Sequence, residues 1–316
     1  MGKKSSSEKL VIAAASAGAA VGAAYLAVGN AIFNKTMSKK SIAKKMDEKK
    51  NEYDGITKEG MKWYDSASPA KVKIVTPRGG YVHGEIILAD EPSDVWVIVI
   101  HGYTGSPRRM GSFGKRFHEM GYNCLFPYLC GHGASESNYV TMGWNDRIDI
   151  KAWIDYIINE NANAKIVLFG LSMGAATVMM TTGEPLESNV VCAIEDCGYT
   201  SVWDECRANM KDAYGLPTFP FLSAARSATM LRAGYDMKKA SCIERSRAPS
   251  RRPCSSMATR TTLSRSGCRS ASTAPPRATK RSWLSPAHRT QRPRPSTPKN
   301  IGQQLISLSK SIFDNN

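Results

Sequence analysis

Lys165-Ile166-Val167-Leu168-Phe169-Gly170-Leu171-Ser172-Met173-Gly174-Ala175-Ala176 is the stretch that decides the fold. Five residues of strand-forming, mostly apolar character run into a Gly-x-Ser-x-Gly turn, and a helix-forming run follows. The glycines permit a tight, strained turn that lifts the Ser172 hydroxyl above a sheet. The helix N-terminus behind it favours negative charge developing nearby. The bare pattern is common by chance, but the strand before it and the helix after it give it meaning.

The same pattern repeats on either side. Val95-Trp96-Val97-Ile98-Val99-Ile100 is a continuous apolar run, as expected of a strand buried on both faces. Tyr122–Phe126, Ile166–Phe169 and Val190–Ile194 read the same way, with helical stretches between them. Val72–Val75 and Tyr81–Leu88 read as strands joined by a turn over Thr76-Pro77-Arg78-Gly79-Gly80. Alternating strands and helices with fully apolar strands imply an α/β fold: a mostly parallel sheet flanked by helices. Thr200–Met237 is longer than a simple crossover and reads as a small helical cap.

A second motif, His101-Gly102-Tyr103-Thr104-Gly105-Ser106, closes the Val95–Ile100 strand. Together the pieces VIVIHGYTGS, GHGASE, MGWNDRIDIKAWIDYI, KIVLFGLSMGAATVMM and AIEDCGYTSVWDE resemble the α/β-hydrolase superfamily, in its bacterial serine aminopeptidase/esterase-like group. The resemblance covers residues 71–244. It implies a serine hydrolase of carboxylic esters or peptides, working through an acyl-enzyme on Ser172. The backbone N–H groups of Tyr103 and Met173 would form the oxyanion hole, and His101 would be a structural loop histidine. The resemblance implies no cofactor, and no metal-ligand cluster stands out in the sequence. Where family members read P-D-x-R-G-H-G, this chain reads Pro127-Tyr128-Leu129-Cys130-Gly131-His132-Gly133. Tyr128 and Cys130 replace the acid and the arginine, so the loop's usual ion pairing does not carry over.

Such a nucleophile requires an acid and then a histidine downstream. After Ser172 the one histidine is His288, and no G-x-x-D-x-x-V-P motif follows. Composition changes in the same region. Residues 1–244 hold 28 Lys+Arg against 26 Asp+Glu, whereas residues 245–316 hold 15 against Asp314 alone, with 14 serines and 8 prolines. Nearly all of the formal +16 charge therefore sits in a segment too poor in apolar residues to fold alone.

Codon arithmetic accounts for both facts. Prefixing each codon's first two bases with the last base of the preceding codon lets 253–268 read T-L-F-I-H-G-D-A-D-D-F-V-P-F-W-M. The same shift lets 285–292 read V-P-G-A-S-H-A-E and opens an amphipathic helix at 300–302. The natural frame is thus expected to be lost near Glu244–Ser246. The acid is expected over Thr261 and the base over Thr290, where neither threonine can serve. The C-terminal third is expected to be disordered or misfolded, two strands and the last helix absent, the sheet edge unpaired, and the chain inactive. Asp196, just beyond the Val190–Ile194 strand, is a candidate substitute acid, but a hydrogen-bonding role in the cap loop is the favoured reading.

The domain plan is an N-terminal hydrophobic anchor over 1–34, a polar helical linker over 35–70, the hydrolase core over 71–244 and the basic tail over 245–316. The uncharged run Leu10–Asn34 is long enough to span a bilayer. A cleaved signal peptide of a secreted protein and a soluble helix are its other readings. Lysines flank it on both sides, so orientation stays open. The expected partners are a small-molecule ester or peptide and the membrane. Nucleic acid is not expected, because the tail arginines lack interleaved aromatics; a basic-tail binding protein and a non-catalytic hydrolase-fold protein are the alternatives. Trp203, Tyr214, Phe219 and Phe221 suggest an apolar pocket or plain cap packing. Cys124, Cys192 and Cys197 read as buried free thiols.

Overall fold

The computed structural model describes residues 6–48, 54–247 and 256–260. Among the described residues, seven strands form one sheet in the order β1-β2-β4-β3-β5-β6-β7. β1 (Ala70–Val75) and β2 (Tyr81–Ile87) are an antiparallel pair, and β2 runs antiparallel to β4 (Asn123–Pro127). From β4 onward, β3 (Val95–Ile100), β5 (Lys165–Leu171), β6 (Val190–Asp196) and β7 (Ser256–Arg260) are all parallel. The turn between β1 and β2 closes through Gly79 N–H donating to Thr76 O at 2.9 Å.

The apolar runs are explained by burial on both sheet faces. In β3, Trp96, Ile98 and Ile100 enter one core, while Val97 and Val99 enter the other. β5 divides the same way, Ile166 and Leu168 against Val167 and Phe169. The first core is closed by α5 (Asp146–Glu160) and α6 (Met173–Thr182), and the second by α3 (Gly55–Ser66) and α4 (Gly111–His118). Each fully buried side chain of the size of Phe169 contributes about 1.5–3 kcal/mol.

Strand order reverses at β3: β4 lies on one side of it and β5 on the other. In an open α/β sheet the crevice at that reversal, beyond the strands' C-terminal ends, is where ligands bind. The segments that emerge there are His101–Ser106 after β3 and Ser172 after β5.

The polar helical linker expected over 35–70 is largely helical where it is described, and those helices pack against the body. α1 (Ser6–Met37) buries Phe33 and Met37, α2 (Lys39–Glu48) buries Ile42, and α3 packs Tyr64 on the second core. α3 also meets α4 so closely that a Cβ on Gly60 would lie 2.2 Å from Ser112 N. The Lys-rich composition hid this packing, because a few apolar positions on one face of each helix suffice. The sheet edge expected at β6 is instead paired: β7 aligns Met257 with Ala193 and Thr259 with Glu195. Finally, Cys197 is only half-buried, whereas Cys124 and Cys192 are fully buried. Thr261, Thr290, His288 and the remainder of the tail lie outside the described residues.

The cap consists of α7 (Val202–Tyr214), a single π turn over Thr218–Leu222 and α8 (Ser223–Ala233). Ser201 opens α7 by accepting a hydrogen bond from Asp204 N–H, and Gly215 closes it with a φ of 62°. α9 (Cys242–Arg247) then packs back on α6, its Cys242 fully buried.

Candidate active site

Ser172 sits between the last residue of β5 and the first of α6 with a φ of 56° and ψ of −114°. Such a backbone costs a non-glycine residue energy, of order 1–3 kcal/mol, and persists only where the surroundings impose it. Here they do. A Cβ on Gly174 would lie 2.2 Å from Ile100 O, so only glycine lets α6 start this close to β3. Ser172 N–H donates to Asp196 O at 2.8 Å, which ties the turn to the end of β6. The Ser172 side chain is exposed to solvent.

The loop after β3 comes up beside it. A Cβ on Gly102 would lie 3.3 Å from Ser172 Cβ and 3.8 Å from its Oγ. Tyr103 is the next residue. Its carbonyl accepts a hydrogen bond from His132 Nε2 at 2.6 Å, and His132 Nδ1 lies 2.9 Å from Cys130 O. The Tyr103 hydroxyl donates to Thr36 O and accepts from Lys45 Nζ at 3.1 Å. The N-terminal helices therefore brace the same loop that lies against the serine. Met173 is the first residue of α6, so its N–H is one of the helix's unpaired leading donors, on the serine's own turn.

His101 is fully buried. Burial, with His132 beside it, pulls its pKa down to about 3. Its Nδ1 lies 2.9 Å from Gly102 O, and its Nε2 accepts from Leu129 N–H at 3.3 Å. Both nitrogens thus serve the loop backbone. His83 faces Glu136 at 3.6 Å, and His118 lies 3.0 Å from Leu88 O. With His132 occupied as above, no histidine among the described residues reaches Ser172 Oγ. Asp196 is buried beside the turn, but its Oδ1 accepts from the Cys197 thiol at 3.2 Å and it meets no described histidine.

The Tyr128–Gly133 loop finds its charge elsewhere. Arg78, from the β1–β2 turn, donates through Nε to Asp149 Oδ1 at 3.0 Å and through Nη2 to Asp149 Oδ2 at 2.5 Å. The same Nη2 reaches Cys130 Sγ at 3.3 Å, across 52 residues of sequence. Asp146 accepts from Cys130 N–H at 2.7 Å, Thr141 Oγ1 at 2.8 Å and Gly143 N–H at 3.0 Å. Sequence reasoning saw the missing arginine but not its replacement, because no local pattern links a turn to a loop so far away. Cys130, Asp146 and Asp149 offer ligand atoms within 4.8 Å of one another. Arg78, Thr76, Thr141 and backbone N–H groups already engage those carboxylates, so the cluster is accounted for as loop scaffolding.

In the cap, Trp203 and Phe221 pack against the first core, while Phe219 is exposed. The Tyr214 side chain lies outside the described residues.

A family model described as serine aminopeptidase, S33, matches residues 91–194. The uncharacterized protein YqkD of Bacillus subtilis (strain 168) is 25% identical over 146 residues, 46% of this chain and 48% of that protein. A carboxylesterase of the same organism is 29% identical over 107 residues, 33% of this chain and 39% of that protein. The matches thus span less than half of either curated relative. An esterase of Pyrococcus furiosus overlays with a TM-score of 0.43 at 26% identity, covering 51% of this chain and 63% of that one. The strand order and the strand–turn–helix unit at Ser172 give this chain the α/β-hydrolase fold, and the family match over 91–194 supports its place in that superfamily.

Proposed function

We propose that this chain is the scaffold of a serine hydrolase for carboxylic esters or peptides, anchored to a membrane by α1, and that as encoded it does not turn over. In the reaction the scaffold is built for, Ser172 Oγ attacks the carbonyl carbon while its proton passes to a base. The tetrahedral oxyanion is held by the Tyr103 and Met173 N–H groups. The carbonyl re-forms as the alcohol or amine leaves with that proton, and water then releases the acid from the acyl-serine.

One observation carries this reading: an exposed serine on a strained turn at the sheet's reversal point, with the His101–Ser106 loop against it. The base and acid are expected over Thr290 and Thr261, in the shifted reading. A threonine hydroxyl neither takes a proton near neutral pH nor orients an imidazolium, so the encoded chain stops before the first step. Membrane anchorage is supported by Ile12–Met37, which is long and apolar enough to cross a bilayer.

A fluorophosphonate probe tests the reading on two chains, the encoded one and one reframed by a single-base correction at codons 244–246. Labelling of the reframed chain, lost in Ser172→Ala and absent from the encoded chain, is expected. A folded reframed chain that does not label overturns the assignment of Ser172.

A further inference from the structure

α1 and the cap meet within the apolar run, and the meeting point fixes where a bilayer must end. A Cβ on Gly29 would lie 2.2 Å from Ala224 O, so the α1 backbone presses directly on α8. Tyr25 Oη lies 3.5 Å from Ser227 Oγ. Arg232 donates to Asn34 Oδ1 at 2.6 Å, and its guanidinium lies 4.8 Å from the Phe33 ring centroid. Ahead of Tyr25, the uncharged run Leu10–Ala24 rises only about 22 Å. The hydrocarbon of a bilayer is about 30 Å thick and takes about 20 helical residues. Counted from Leu10, those residues end at Gly29, the one pressed on Ala224.

With α1 spanning the bilayer as proposed above, the cap cannot stand clear of it. The surface that would meet lipid has the matching chemistry. Phe219 and Leu231 are each 76% exposed and Met230 is 48% exposed, on the two cap elements that contact α1. Exposed apolar side chains on elements that touch the membrane helix are suited to lipid rather than to water. Just past Gly29 comes a cationic collar. Lys35, Lys40, Lys44 and Arg232 are exposed, suited to lie among lipid phosphates with their aliphatic stems toward the acyl chains.

We infer that the cap face formed by Phe219, Met230 and Leu231 is seated in the interface of an anionic phospholipid bilayer beside α1. The inference rests on the membrane reading of α1. Thr36, which takes the Tyr103 hydrogen bond, lies seven residues past Gly29, about 10 Å along the helix. The loop against Ser172 is therefore held close under the bilayer surface.

The test uses the full chain in vesicles of phosphatidylcholine and phosphatidylglycerol, with and without spin-labelled lipids as quenchers. An environment-sensitive fluorescent amino acid is encoded at Leu231, at Phe219 in a second chain, and at Leu88 in a third as reference. Leu88 is 61% exposed and follows β2 at the end of the sheet away from Ser172. All three chains are expected to float with the vesicles, with quenching at Leu231 and Phe219 several-fold stronger than at Leu88. Flotation with equal quenching at the three positions overturns the seating of the cap. Chains that do not float overturn the membrane reading of α1, and the inference with it.

Discussion

Gly102 lies against Ser172, so close that an added Cβ would sit 3.8 Å from the serine Oγ and 3.1 Å from Leu171 O. The β3 loop is thereby registered on the Ser172 turn, and Tyr103 is set one residue further on. A Gly102→Val substitution should crowd the hydroxyl and push the loop away. In the reframed chain we expect kcat/KM for an ester to fall about tenfold or more, ~1.4 kcal/mol of barrier or above, with Gly102→Ala milder. Steady-state kinetics on the two variants check the order.

Arg78 neutralises a buried acidic loop from a distant turn. Asp149 is nearly buried, and its desolvation, only partly offset by Arg78, raises its pKa. Arg78→Met should leave that carboxylate unpaired and cost about 3 kcal/mol, the lower end of the range for breaking a buried pair because Arg78 is partly exposed. Arg78→Lys should recover only part of this, since an ammonium cannot make the bidentate contact. Urea unfolding of the three chains provides the measurement.

Glu195 is buried in β6, and desolvation pushes its pKa up to about 7 from 4.5. Between those values the folded chain keeps a proton that the unfolded chain has lost. Stability from this group is therefore greatest below about pH 4.5 and declines as pH rises toward 7, by about 3 kcal/mol. Glu195→Gln should flatten that slope. Melting curves from pH 4.5 to 8 on both chains decide it, and parallel profiles would count against a buried, unrelieved carboxyl.

The gene itself should carry the missing chemistry. Sequenced through codons 240–316, its alternative frame is expected to read H-G-D-A-D-D-F-V-P over 257–265 and A-S-H-A-E over 288–292. Independent reads that offer neither motif in that frame would remove the explanation for the tail's composition.

Much of this was legible in the chain. The Val95–Ile100 and Lys165–Phe169 runs are apolar at every or nearly every position because both sheet faces are covered, a signature no amphipathic strand shares. The strained turn at Ser172 was legible because it needs glycine on both sides. The packing of 35–66 was not: Met37, Ile42 and Tyr64 are sparse among lysines, and burial of one face leaves little trace in composition. The Arg78–Asp149 pair and the Tyr103–Thr36 contact were hidden for another reason. They join residues far apart in sequence, whose meeting depends on the finished fold.

The central claim is that Ser172 is a competent nucleophile on a scaffold whose acid and base are out of frame. Hydrolysis of p-nitrophenyl butyrate by the encoded chain, the reframed chain and reframed Ser172→Ala tests it most directly. Turnover is expected from the reframed chain alone, with the other two about ten-thousandfold or more lower. Equal turnover by the encoded and reframed chains, or activity that survives Ser172→Ala, would contradict it.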